Sequence, residues 1–181
     1  SQTMPLFEQL FFPGFEFFLF LLSVVLFFLL VRLVAIAQQL VLMAAFGPAS
    51  AIIGGLLSPA VMRLKKTAEL VEIDTQNLMK ELEKLIAPEK NHKHYREMLQ
   101  VTLLEKKPCC PYLGLYLADL TFIEDGNPDK RGDMINFDKR CMLGKVLSEI
   151  LRFQNIRYMF RPVPALQWFL SNQTPLSEKQ A

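Results

Sequence analysis

Few side chains in this 181-residue chain stand where bond chemistry needs them. His92 and His94 flank a lysine, and Cys109 and Cys110 are adjacent, so zinc ligands are present in kind. A tetrahedral zinc site draws on pairs separated by a few residues, and neither pair has a standard spacing. His-Lys-His in a charged stretch reads as solvated surface. Gly54-Gly55 leads into leucines. A phosphate loop needs glycines that lead into Lys-Ser or Lys-Thr, whose ammonium and hydroxyl hold phosphate and magnesium. Glu124 and Asp125 are adjacent, and successive helix residues point apart rather than forming an acid/base pair. No nucleophile elbow occurs. The residues therefore point away from hydrolysis and group transfer, and toward no metal and no cofactor.

The totals narrow the field further. Apolar residues make up 51% and charged residues 21%, with a net charge of +2. That charge is too small, and too little clustered with aromatics, for a nucleic-acid partner. An odd number of cysteines without a spacing pattern suits a reducing compartment, so the polar part is expected in the cytoplasm.

The elements fall into zones. Residues 1–31 form a hydrophobic segment, with Phe11, Phe12, Phe15, Phe17, Phe18, Phe20, Phe27 and Phe28 among leucines and valines, and no charge from Phe17 to Leu30. A bilayer span needs roughly 17–25 apolar residues, so this core is at the short end. Glu16 lies before it and Arg32 after it. Arg32, Arg63, Lys65 and Lys66 lie on its C-terminal side, and the positive-inside rule puts the C-terminal part of the chain in the cytosol. The stretch from Leu33 to Met62 is uncharged too. It reads either as a pair of buried helices that turn at Gly47-Pro48 or as a second span, and its interruptions favour the helices.

From Arg63 onward the pattern is that of soluble helices. Leu78, Leu82, Leu85 and Ile86 recur at helical spacing before Pro88. Leu113, Tyr116, Leu117 and Leu120 do so before Gly126-Asn127-Pro128. Asn136 is a fitting N-cap for a helix striped by Leu143, Val146, Leu147, Ile150 and Leu151. Pro164 suits the first position of a last short helix. No long strand alternation occurs, so the fold class is all-α. Residues 173–181 read as a flexible tail.

The helix–turn–helix from Pro111 to about Asn155 resembles the catalytic helical hairpin of Ras-family guanine nucleotide exchange factors of the Son-of-sevenless type. Its first half runs Pro-Tyr-Leu-Gly-Leu-Tyr-Leu-Ala-Asp-Leu-Thr-Phe-Ile-Glu-Asp-Gly-Asn-Pro, and its second begins Ile135-Asn136-Phe137-Asp138-Lys139-Arg140. The flanks agree in order. Ala51-Ile52-Ile53-Gly54-Gly55-Leu56, Arg63-Leu64-Lys65-Lys66-Thr67, Asn91 to Leu99, Phe153-Gln154-Asn155 and Pro162-Val163-Pro164 each resemble a family motif. The resemblance runs from about Pro48 to Leu170, roughly two-thirds of the chain, and matches the later part of the family's domain, which is assigned here to 32–172. It implies a partial domain that lacks the family's N-terminal helices and keeps its protruding hairpin.

The resemblance also implies a non-covalent catalyst rather than an enzyme that makes or breaks bonds. The expected partner is a Ras-family small GTPase, nucleotide-free or GDP-bound, and the factor works by binding the nucleotide-free form most tightly. By the family's pattern, Thr121 crowds the magnesium site, Asp125 competes with phosphate, and Asn127 braces the turn. Tyr112 and Arg63 fall at GTPase-facing positions. Each has a plainer structural alternative: Tyr112 as core, Arg63 as an ion-pair partner, Thr121 bonded to its own helix, and Asp125 as turn chemistry.

Two departures stand out. Asp125 replaces the family's usual glutamate, shortening the reach by about 1.5 Å. Ala68 replaces its usual tryptophan. Where the family carries earlier helices, this chain carries the Phe/Leu run, read either as a membrane anchor or as an unnatural start to the sequence. The alternative to exchange is a membrane-tethered module that binds a small GTPase without releasing nucleotide. Either way the expected location is the cytosolic face of a membrane.

Overall fold

The computed structural model describes residues 6–174, with side chains from Phe17 onward. Most of the tail assigned to 173–181 lies outside the described residues, as do the side chains of Phe11, Phe12, Phe15 and Glu16. Among the described residues the fold is all-α apart from one very short strand pair. The chain divides into two compact units, with the division between Leu99 and Gln100.

In the first unit, α1 (Leu6–Leu42) is a single helix that runs through Val31 and Arg32. Its C-terminal half has a regular buried stripe: Leu30, Val34 and Ala37 are buried, with Phe27, Val31 and Val41 partly so. This is the i, i+3/i+4, i+7 pattern of a core helix. The half before it is different. Phe17, Phe18, Phe20, Leu21, Val25, Phe28 and Leu29 are exposed.

The turn expected at Gly47-Pro48 lies earlier. α1 closes through Ala44, whose φ is +55. Ala44 N–H donates to Val41 O at 2.9 Å and Ala45 N–H to Leu40 O at 2.8 Å. These paired bonds are a Schellman motif, usually made by glycine. Gly47 and Pro48 instead sit in the first turn of α2 (Phe46–Leu56). The first N–H groups of a helix have no internal acceptor, so a residue without one begins a helix at no cost.

Ala49, Ile53 and Leu56 of α2 pack on Val34 and Ala37 of α1, joined by Val71 and by Leu82 of α5 (Ile73–Ile86). Two short helices, α3 (Pro59–Met62) and α4 (Lys65–Glu69), connect α2 to α5. Ala68, at the position of the family's tryptophan, is exposed here. α5 ends at Ile86 because Ala87, restricted by Pro88, is extended. Tyr95, early in α6 (Lys93–Leu104), meets Phe46 edge to face at 5.4 Å.

The second unit holds α7 (Leu113–Gly126), β1 (Lys130–Arg131), β2 (Met134–Ile135), α8 (Phe137–Arg152) and α9 (Pro164–Ser171). Pro164 opens α9 as its sequence position suggests. Tyr116 is almost fully buried, faces Phe153, and donates its hydroxyl to Glu149 Oε1 at 3.1 Å. The α8 stripe is only partly covered: Leu143, Val146 and Ile150 are half-buried, whereas Leu147 and Leu151 are exposed.

Candidate functional site

The connection between α7 and α8 is built around a small polar clamp. α7 ends at Gly126-Asn127-Pro128, and the chain returns through a two-residue turn between paired Arg131 and Met134. Gly132, with φ +63, opens that turn; a hairpin turn with a single left-handed residue takes glycine there. Asn136 then starts α8, its Oδ1 accepting from Lys139 N–H at 3.4 Å. Its Nδ2 donates to Pro128 O at 2.8 Å, so one side chain ties both ends of the loop.

Lys139 lies beneath this loop with its side chain only 3% exposed. Its ammonium donates to Asp129 Oδ1 at 3.0 Å and to Glu124 O at 3.2 Å, and it pairs with the Glu124 carboxylate. Arg140 reaches the same Asp129 oxygen at 2.8 Å. A buried ammonium is tolerated only when its donors are filled. Here a carboxylate pair and a helix carbonyl fill them. The Lys139 hydrogen bond and charge, with Arg140, hold the Asp129 carboxyl below its ordinary range. The Glu124 hydrogen bond, with Asp129, outweighs the cost of burial and raises Lys139.

The clamp leaves α7 exposed along one ridge. Leu113, Leu117, Thr121 and Asp125 recur at intervals of four, the spacing that makes a ridge on a helix, and all four are exposed. Phe122 beside them is 75% exposed, and Met134, Ile135 and Phe137 are similarly bare. Thr121 donates its hydroxyl to Leu117 O at 3.0 Å, the local helix bond anticipated for it. Asp125 carries a free-standing carboxylate at the end of the ridge, without a hydrogen bond or ion pair among the described residues.

Asn127 turns back instead, donating Nδ2 to Ile123 O at 3.0 Å. That bond satisfies a carbonyl at the end of α7. Tyr112 is the residue before α7, about 20 Å of helix from Asp125. Its ring lies over Gly114: a Cβ there would be 2.5 Å from the ring's Cζ. Arg63 belongs to the first unit, at the end of α3, where its Nε donates to Pro59 O at 3.1 Å. Thr121 and Asp125 thus share one ridge, Asn127 serves the turn, and Tyr112 stands at the far end of the helix.

Among the described residues no three His, Cys, Asp or Glu side chains gather as a metal site. Cys109 is buried, and that burial together with Cys110 pushes its thiol up to about 12. It stays protonated and unreactive at neutral pH.

The RasGEF domain family matches residues 28–141. The chain belongs to that family. It is similar to Cell division control protein 25 of Candida albicans, 39% identical over 128 residues, which is 69% of this chain and 10% of that protein. Ras guanine nucleotide exchange factor K of Dictyostelium discoideum is 37% identical over 77% of this chain and 9% of its own length. Ras guanine nucleotide exchange factor J of the same organism is 41% identical over 65% of this chain and 14% of its own. The chain therefore spans about a tenth of these relatives' length. The polar cluster of Lys139, Asp129, Glu124 and Arg140 was not anticipated from the sequence. Its only signal was a basic pair shortly after an N-cap asparagine and an acid on each side of the turn.

Proposed function

We propose that this chain is a guanine nucleotide exchange module for a Ras-like small GTPase, of the Son-of-sevenless type, and that the α7–α8 hairpin opens the partner's nucleotide site. The observation that carries this is the exposed α7 ridge ending in Thr121 and Asp125, above a loop fixed by Lys139 and Asn136. A wedge works only if its own geometry is already set, because ordering it during binding would consume the binding energy.

On this reading Asp125 offers a negative charge where phosphate would otherwise sit, and Thr121 is a compact neutral wedge at the magnesium site. Magnesium and phosphate are held largely by charge, so the pair weakens both together. Asn127 holds the hairpin end, while Tyr112 and Arg63 are GTPase contacts. The exchange factor makes and breaks no bond. It favours the nucleotide-free partner over the nucleotide-bound one.

Membrane attachment on the cytosolic face is part of the proposal. Phe17–Leu42 is long and apolar enough to cross a bilayer, but its second half is occupied by the core around Val34 and Ala37. The part free to enter lipid is the exposed stretch from Phe17 to Leu29.

The test is release of fluorescent GDP from Ras, Rap and Ral type GTPases, using the full chain in nanodiscs. Acceleration that falls about a hundredfold in Asp125→Ala, with a large loss in Thr121→Ala, is expected. Asp125→Glu, restoring the longer reach, is expected to speed release. One observation favours a second reading. The shorter Asp125 suits a membrane-tethered module that binds a GTPase without exchanging it. Tight capture of nucleotide-free GTPase, with release rates indifferent to both substitutions, would establish that module instead.

A further inference from the structure

A cleft of about 670 Å³ lies between the exposed half of α1 and the segment around α4. One wall is Leu19, Phe20, Leu22 and Leu26 of α1; the other carries Arg63, Lys65 and Lys66. Lys65 and Lys66 are exposed and have no carboxylate partner among the described residues. Unneutralised cations facing an apolar wall are an unusual pairing. The wall wants hydrocarbon, and the cations want an anion whose oxygens accept several N–H donors.

We propose that this cleft binds an anionic phospholipid, its phosphate held by Lys65 and Lys66 and its acyl chains lying along Leu19, Phe20 and Leu22. The proposal rests on the membrane attachment proposed above and adds the level at which the bilayer meets the protein. Cations belong at the headgroup layer. From the cleft toward the start of α1, Phe18 and Phe17 are exposed and apolar, and Glu16 comes next in the chain. In the other direction lie Leu30, Val34 and Ala37, covered by α2 and by α5 with its charged Lys80, Glu81, Glu83 and Lys84. Headgroup level at the cleft therefore sets the exposed Leu19, Phe20 and Leu22 against acyl chains and keeps the charged helix in water.

The test is flotation of the full chain with phosphatidylcholine vesicles and with the same vesicles containing phosphatidylserine. Stronger binding to the anionic vesicles is expected. Lys65→Gln and Lys66→Gln should each lower that preference by about fivefold, with unchanged circular dichroism. Lys84→Gln, on α5 outside the cleft, should not change it. Leu22→Glu should reduce anionic-vesicle binding by spoiling the apolar wall. Equal binding to both vesicles would overturn the lipid site while leaving membrane attachment intact. Absence of binding to either would remove the attachment and the site together. An equal drop in Lys84→Gln would show general surface charge only. Inorganic phosphate competing at lipid-like concentrations would make the cleft a free-anion site.

Discussion

Each of the two units is held internally by a different chemistry. In the first, Val34 and Ala37 of α1 meet Ala49 and Ile53 of α2 with almost no solvent contact, and the contact is apolar throughout. In the second, the loop between α7 and α8 encloses a lysine, an asparagine and their carboxylate and carbonyl partners. An apolar core is non-directional and tolerates small shifts in helix position. A buried ammonium is not tolerant. Its donors must meet fixed acceptors, so it specifies one arrangement of the loop at the cost of desolvation. Directional fixing belongs where a loop must keep one shape, as the proposed wedge requires.

That contrast breaks most visibly at Ile53. Ile53→Ala removes a side chain that is 2% exposed, and a loss of about 2–5 kcal/mol is expected in urea denaturation. A loss below about 1 kcal/mol would mean that the first unit's core is looser than its burial indicates.

Lys139→Gln comes next. It removes the charge that Glu124 and Asp129 share, and glutamine is too short to replace the ammonium's contacts. Amide exchange across the loop from Pro128 to Asn136 is expected to accelerate about tenfold or more, with helix α7 still formed. Unchanged exchange would mean that the cap and turn alone hold the loop.

Asn136→Ala removes the N-cap of α8 and the bond to Pro128 O. A cost of about 1 kcal/mol, typical of a lost cap, is expected in thermal unfolding.

The smallest effect is that of pH. Asp129 is held below its ordinary value of 3.8, so its contribution is complete above that value and disappears as pH falls through the lowered folded one. Lys139 is raised above 10.5, so its contribution is complete below that value and is lost only as pH rises past the raised one. Loop protection should therefore be flat from about pH 5 to 10 and fall at the acid end. The Asp129 carboxylate is 64% exposed, so added salt should shrink the acid effect. An acid loss that survives in Asp129→Asn would assign it to another carboxylate.

Much of this architecture was legible from residue spacing. The stop of α5 before Pro88, the Asn136 cap and Pro164 at the start of α9 each come from a backbone rule that acts within a few residues. The Gly47-Pro48 turn was misplaced because the same residues also suit a helix start. Ala44 took the left-handed position at the end of α1 instead, where it is buried in the packed corner between α1 and α2. The short strand pair escaped notice because two residues are too few for an alternation. Thr121, Asp125 and Asn127 were singled out by family resemblance alone, whereas the burial of Lys139 had no such signal. A lysine in a charged stretch looks solvated until its neighbours in space are known.

By itself the sequence determined the class of fold, the family and the position of each helix end governed by proline or a cap, because those depend on local sterics and on motif order. Only the tertiary structure decided which half of α1 is core and which is bare, and that Lys139 is buried beneath the α7–α8 loop. Both depend on what residues distant in sequence leave covered. Leu21 and Val34 are alike as letters in an apolar run, yet one is exposed and the other fully buried. What separates them is the presence of α2 and α5 against one stretch of the helix alone.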